Sequence, residues 1–350
     1  MFPNRPETAD RRPQTADKKR RKSNFFGSRF FVFAVCSLQS AVLSAVLFFT
    51  GCGPKYTYPA NTAPKSIEDI CSKENHLEVF ARIAGQTAGA LIYIDDLVDD
   101  KGQIPKEVHE KMGQIMQAVT RVALSTDRVL DFCEVVIRDR AHMNELVVTR
   151  SVDDTKRANS DAIGVEESIN RTLFSQGKYQ LSPEGEKNFV LKEVKLENFL
   201  AEQIAQRIRF SFSKDAKEEA AGAFMLVDGL FDVSSEARRF RFALLSLKTM
   251  ESRETMINAL KTVRDVLGGY HFTNFSEIEI LDYLNRQKLV IDQKTLADYQ
   301  AKKITEQEIL DRYLTESQSI QEAFKLFGFN LADSSSSADA EPRSIAAATP

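Results

Sequence analysis

Between residues 30 and 50 the chain carries no charged side chain, and 21 residues of that character are long enough to cross a hydrocarbon bilayer. The run holds Phe30, Phe31, Val32, Phe33, Leu38, Val42, Leu43, Val46, Leu47, Phe48 and Phe49. Such a segment does not fit the surface of a water-soluble domain, so the folded part must be sought after it. Just upstream stand Lys18, Lys19, Arg20, Arg21 and Lys22, and Arg29 is the last charge before the run. A basic n-region followed by an apolar h-region is the layout of an export signal, because the cations stay cytoplasmic while the apolar helix enters the bilayer. Residues 1–51 hold nine Lys/Arg against three Asp/Glu, net +6, leaving 38 against 47, net −9, for residues 52–350. The net-negative remainder gives no global field for nucleic acid.

The apolar run closes as Phe49-Thr50-Gly51-Cys52-Gly53, which resembles the lipobox of bacterial lipoproteins. Thr50, Gly51 and Cys52 match the small residue, the glycine and the cysteine of that motif, and Phe49 stands where the family prefers Leu. The resemblance covers about the first fifty residues and implies nothing about the domain behind them. It implies a signal peptide cleaved before Cys52, a diacylglycerol on the Cys52 thiol, a Cys52 amino terminus acylated with a palmitate-type chain, and membrane lipid as a partner. Several acyl chains anchor stably where one is marginal. Gly53, in place of Asp, further implies attachment to the outer membrane, facing the periplasm. The alternative is an uncleaved single-pass inner-membrane anchor with Cys52 just outside it. Either arrangement puts residues 53–350 outside the cytoplasm, in the cell envelope.

The remaining boundaries follow from composition. Residues 1–29 form a basic n-region expected to be disordered; it includes the near-repeat Arg5–Asp10 and Arg12–Asp17, which is polar, Pro-containing and without apolar periodicity. Residues 30–51 are the signal or anchor segment, and residues 52–65, with Pro54, Pro59 and Pro64, are a lipid-attached tether. Residues 66–180 are expected to form an N-terminal α+β subdomain and residues 181–331 a C-terminal, helix-rich one, with a disordered tail over 332–350. At 43% hydrophobic and 28% charged residues, with 15 Gly and 10 Pro, the chain has the make-up of a folded protein.

The fold class read from periodicity is α+β: short antiparallel hairpins interleaved with amphipathic helices, with a helical C-terminal part. A capping box at Ser66 and Asp69 predicts a helix through Cys71. Alternation over 76–83 and an apolar run over 90–94 predict a hairpin across a Gly-containing loop. Residues 106–125 place Val108, Met112, Ile115, Met116, Val119 and Val122 on one helical face. Residues 132–137 and 146–149 read as strands and 152–174 as an exposed helix. Residues 177–185 read as a loop, 195–212 as a helix, and 224–233 with 237–247 as a second hairpin. A helix over 251–267 is expected to stop at Gly268-Gly269. Residues 274–284 are ambiguous, and 294–327 read as two helices, the second opened by a Thr305/Glu308 capping box. Outside the leader no repeat is apparent.

Chemistry-bearing motifs are scarce. His76, His109, His142 and His271 are scattered, without His-Glu-x-x-His or Cys-x-x-Cys spacing, so no metal is implied. Neither a Gly-rich phosphate loop nor a Gly-x-Ser-x-Gly elbow occurs, and no cofactor is implied. The doublets Asp95-Asp96, Asp99-Asp100 and Asp153-Asp154 lack the alternation of a calcium loop and read as solvated surface. Arg238-Arg239-Phe240-Arg241-Phe242 interleaves cations with aromatics, and its plain reading is the wet side of an amphipathic strand. Met112 and Met116 read as core. Cleavage removes Cys36 and lipidation takes Cys52, leaving Cys71 and Cys133 as a candidate disulfide in an oxidising compartment. The expected function is therefore a non-catalytic binding or structural role in the envelope, toward an envelope protein partner and not nucleic acid. The alternatives are an extracytoplasmic enzyme built on carboxylates and His, or a ligand-binding transport lipoprotein.

Overall fold

A computed structural model describes residues 56–99, 103–179, 189–214, 225–235, 237–246 and 252–317. The leader, Cys52 and the tail lie outside the described residues. In chain order the first half runs α1 (Ala63–Asn75), β1 (Phe80–Ala84), β2 (Thr87–Ile94), α2 (Lys106–Ser125), β3 (Phe132–Asp139), β4 (Asn144–Ser151), α3 (Val152–Asn159), α4 (Val165–Asn170) and β5 (Leu173–Lys178). The second half runs α5 (Leu196–Lys214), β6 (Met225–Val233), β7 (Arg238–Ser246), α6 (Ser252–Gly269), β8 (Glu277–Asp282), β9 (Gln287–Asp292), α7 (Gln293–Gln300), α8 (Glu306–Tyr313) and β10 (Leu314–Glu316). The fold is α+β, with two five-stranded sheets ordered β1-β2-β3-β4-β5 and β10-β9-β8-β7-β6.

The two halves repeat one another. Each is helix, hairpin, crossover helix, hairpin, two short helices and a closing strand. In each, the second and third strands pair in parallel, β2 with β3 and β7 with β8, and every other pairing is antiparallel. A parallel pair needs a long crossover, which α2 and α6 supply. Details recur as well. Met143 and Arg286 both take positive φ just before β4 and β9, and Asp161 and Lys302 do so after α3 and α7. Ser151 and Asp292 end their strands and cap the next helix, accepting from the amides of Asp153 and Thr295. No residue identity is shared at these positions, which is why the repeat cannot be seen in the sequence.

The first sheet turns Ala81, Ala88, Ala90, Ile92, Cys133, Val135, Ile137, Leu146 and Val148 toward α1 and α2. Its other face, with Leu91 and Val136, is covered by Phe189 and Leu191 of the link between halves. A Cβ on Gly89 would lie 2.7 Å from Leu191 Cδ1, so a bare glycine lets that link press onto the sheet. The second sheet packs Phe240, Phe242, Leu244, Ile278, Ile280, Leu289 and Ile291 against α5–α8, and the same core takes in Phe132 and Leu173 from the first half.

Several local expectations are corrected. α1 begins at Ala63 behind Thr62, not at a Ser66 capping box; the Ser66 hydroxyl donates to Thr62 O instead. Residues 152–174 are two helices and the start of β5, and Gly177 lies in that strand, not in a loop. α6 runs through both glycines, and the left-handed stop is His271, φ 52°. Residues 314–316 form strand β10 on the edge of the second sheet, where a helix was expected. The ambiguous stretch 274–284 contains β8.

Candidate functional site

The 3.6-residue period that buries α2 places Met112, Gly113, Met116, Gln117, Thr120 and Leu124 on one flank at the margin of the core, with Met116 buried, Met112 and Thr120 half-buried and Gly113, Gln117 and Leu124 exposed. That flank forms one wall of a cleft of about 580 Å³. Val148 of β4 and Phe174 of β5, paired across the sheet, supply its floor, and Thr155, Asn159 and Ile169 close the far side. The volume and mostly apolar walls suit a small-molecule site. Two cations stand among these walls: Arg121 of α2, whose Nη1 is held by Glu74 at 2.9 Å, and Arg150, two residues beyond Val148 and therefore on the same face of β4. Arg150 is half-buried, and its Nε donates to Thr172 Oγ1 at 3.2 Å. No carboxylate among the described residues pairs with it. By contrast Arg138, Arg171, Arg207, Arg209, Arg241 and Arg253 each have a carboxylate oxygen within 3.0 Å.

The second half explains why the cleft is open. Its α8, capped reciprocally by Thr305 and Glu308, packs on β9 and α6 and seats Ile309 and Leu310 fully in the core. In the first half α4 begins behind Gly164, which supplies no side-chain cap, and is six residues long. Counting from each cap, Ser168 stands for Ile309 and Ile169 for Leu310. Ile169 is 55% exposed. The space that α8 fills in one half is thus left vacant in the other.

A second cleft, about 740 Å³, is polar. It gathers Asp95, Asp96, Asp99 and His142 with Glu107, Lys111 and Lys178 near the carboxyl ends of β2 and β3. Asp139 lies buried beside it and accepts from the amides of His142 and Leu97 and from the His142 ring, Nδ1 at 3.0 Å. Burial alone would raise the Asp139 carboxyl, but these donors hold it below the usual carboxylate range. The pairing of a buried Asp with an exposed His has an enzyme-like look. Its counterpart in the second half decides the role: Asp282 accepts from the amide and side-chain nitrogen of Asn285 in the same hairpin turn. The acid ties the turn in both halves. Among the described residues no group of three or more His, Cys, Asp or Glu is placed to hold a metal ion.

The seam between halves is polar and buried. Asp154, 1% exposed, receives Arg171 Nη1 at 2.8 Å and the Tyr270 hydroxyl. Arg171 Nε also meets Glu167 at 2.7 Å, Arg207 reaches the same carboxylate at 3.0 Å, and the Arg171 guanidinium lies over the Tyr270 ring. Gln203 and Gln206 of α5 donate to the carbonyls of Arg171 and Thr172, and Gln206 accepts from the Phe174 amide. Burial works against the charge on Arg171, yet its two carboxylates raise its pKa; burial and Asp154 raise that of Tyr270. Asp153-Asp154 is therefore not the solvated doublet the sequence suggested, since its second member is a buried anchor. The partners lie 17 and 116 residues away, beyond any local motif.

The other sequence candidates fall apart in space. Arg239 pairs with Glu277, Arg241 with Glu279, and Arg238 with Asn274, while Phe240 and Phe242 are fully buried, so the cluster is the charged face of a strand. Met116 is buried and Met112 half-buried, and both line the apolar cleft, a role beyond simple core filling. In place of the candidate disulfide the structure holds two buried free thiols. Cys71 faces the core from α1, and Cys133 from β3, where it meets Thr120 of α2. Burial pushes Cys71 up to about 11 and Cys133 to about 12, so neither is a thiolate at neutral pH. Cys52 lies outside the described residues.

Glu134 is the most perturbed carboxylate. It sits on β3 between Gly89 and Thr149, and burial pushes its carboxyl up from 4.5 to about 7; the Thr149 hydroxyl opposes the shift and Glu145 adds to it. A folded-state pKa above the unfolded one means stability is full below about 4.5 and is lost as pH rises toward 7. The loss attributable to Glu134 is up to about 3 kcal/mol at 1.36 kcal/mol per unit. Glu134→Gln is expected to match the wild type near pH ~4 and to exceed it near pH ~8 in urea-unfolding midpoints. Equal midpoints at both pH values would contradict this placement of the carboxyl.

Comparison with known proteins finds no protein-family model that matches the chain and no curated protein that matches it.

Proposed function

We propose that this chain is an exported, membrane-anchored lipoprotein with a non-catalytic binding role in the cell envelope. The observation that carries the reading is Thr50-Gly51-Cys52 closing a charge-free apolar segment behind a basic cluster. Among the described residues no helix is long and apolar enough to cross a membrane. Attachment in this reading rests on acyl chains at Cys52, with Gly53 directing the chain to the outer membrane. The binding role is supported by the apolar cleft beside α2, whose volume suits a ligand and one of whose two cations, Arg150, has no carboxylate partner among the described residues. An enzymatic role draws no comparable support from His142, whose Asp partner performs the same turn-tying task as Asp282.

The test is mass spectrometry of the mature amino terminus with membrane fractionation. An acylated Cys52 as first residue, and release of Cys52→Ser from membranes or its retention only as an uncleaved precursor, is the expected outcome. An intact leader on the wild type, or a Cys52→Ser chain indistinguishable from it, would replace this reading with the single-pass anchor.

A further inference from the structure

We infer that the cleft between α2, β4, β5 and α4 binds a single-chain carboxylate amphiphile, its head group on Arg150 and its alkyl chain along Met112, Met116, Val148, Ile169 and Phe174. This rests on the reading of the chain as a binding protein and names the ligand class of that site.

Three observations converge on it. The first is the unpaired guanidinium. A cation set among apolar side chains loses hydration, and proteins compensate with a carboxylate or a net of acceptors. Among the described residues Arg150 has only the Thr172 hydroxyl, on Nε, which leaves both η nitrogens available to meet an external anion as a fork. The second is the floor and walls. Ile169 at 55% and Phe174 at 39% exposure are large apolar groups displayed on one concavity, not scattered singly. Two methionines in the opposite wall suit a flexible chain, since their unbranched thioethers repack around irregular shapes. The third is the molecule's own comparison. At the matching place in the second half the space is filled by Ile309 and Leu310 of α8, and the position matching Arg150, one residue before the strand's capping residue, is the fully buried Ile291. Where the protein fills this space itself it uses aliphatic side chains and no charge. Where it leaves the space open, its walls hold Arg121, already paired with Glu74, and one cation without a carboxylate, Arg150. An aliphatic chain with one anionic end is the complement of that difference.

The charge argues against a neutral apolar ligand, which would leave Arg150 buried and unpaired. The apolar walls argue against a small hydrophilic anion. The head group is placed as a carboxylate because one planar fork, with Thr172, Thr120 and Gln117 nearby as neutral neighbours, satisfies two oxygens in a plane.

The experiment uses the full chain in phospholipid nanodiscs and dodecanoate carrying a terminal diazirine, with photolabelled peptides identified by mass spectrometry. Labelling is expected in the peptides containing Met112–Leu124 and Phe174. Unlabelled dodecanoate should compete at least tenfold better than dodecanol or butyrate, the range a lost charge-assisted pair corresponds to. Arg150→Met should cut cleft labelling roughly tenfold to a hundredfold. Gly113→Phe is the second variant: nothing lies within 4 Å of a Cβ built on Gly113, and glycine is a poor helix former, so the variant should fold and block the cleft. It should lose the labelling with no fall in thermal midpoint. Absence of label from the cleft, equal competition by dodecanol, or labelling unchanged in a folded Gly113→Phe would each overturn the inference. If Cys52 is acylated and these results fail, only the ligand is wrong; if dodecanoate binds and Cys52 is unmodified, only the anchor is.

Discussion

Asp154→Ala is expected to lower the unfolding free energy of the whole chain by about 3–5 kcal/mol, the usual cost of breaking a buried ion pair from one side. The carboxylate is 1% exposed and answers two donors from different parts of the chain, Arg171 and the Tyr270 hydroxyl. Its removal leaves a guanidinium buried to a similar degree with only the shared Glu167 to balance it. The missing group also frees the phenol that ties the end of α6 to α3 in the other half. Urea unfolding followed by circular dichroism measures the loss. Asp154→Leu combined with Arg171→Met should recover much of it, because a matched apolar pair carries no stranded charge. A loss below about 1 kcal/mol for Asp154→Ala would mean the pair is hydrated and the seam is not closed.

Phe199→Ala is expected to cost about 3–5 kcal/mol by a different route, the cavity left when a buried ring is removed. Phe199 projects from α5, 1% exposed, with the Phe132 ring at 5.0 Å on one side and the Tyr270 ring at 6.1 Å on the other. Phe132 opens β3 in the first sheet and Tyr270 follows α6 in the second half, so one side chain joins both. The surrounding rings cannot collapse into the gap without moving two sheets. The same unfolding measurement checks the value. Because Tyr270 touches both Phe199 and Asp154, the double variant should depart from additivity by about 0.5–3 kcal/mol. Strict additivity would show that the aromatic and ionic parts of the seam act independently.

The seam also bears on the proposed ligand. Thr172, which steadies Arg150, is the residue whose carbonyl accepts from Gln206, and its neighbour Arg171 is the cation held by Asp154. The cation offered to a ligand and the cation locked into the seam are thus positioned by adjacent parts of one segment. A rigid seam holds the cleft's cation in place before any ligand arrives, which lowers the ordering cost of binding.

What the sequence determined by itself was local. Helix α2 spans Lys106–Ser125, the residues its 3.6 period marked, because Val108, Ile115, Val119 and Val122 need only their own spacing to find one face. The β6–β7 hairpin lies where alternation put it, and Thr305 and Glu308 form the capping box their spacing announced. These features arise between residues a few positions apart, where propensity and period act directly. Parallel pairing of β2 with β3 and of β7 with β8 was not visible, since it depends on closure across a whole helix and leaves no mark in either strand's pattern. The repeat of the two halves was hidden for a related reason: one backbone path tolerates Met143 or Arg286, Asp161 or Lys302, at the same left-handed position. Burial of Asp154 and isolation of Arg150 belong wholly to the tertiary structure. A charged residue's local sequence states that it is charged; whether it meets water, a counter-charge or an apolar wall depends on which distant elements are packed around it.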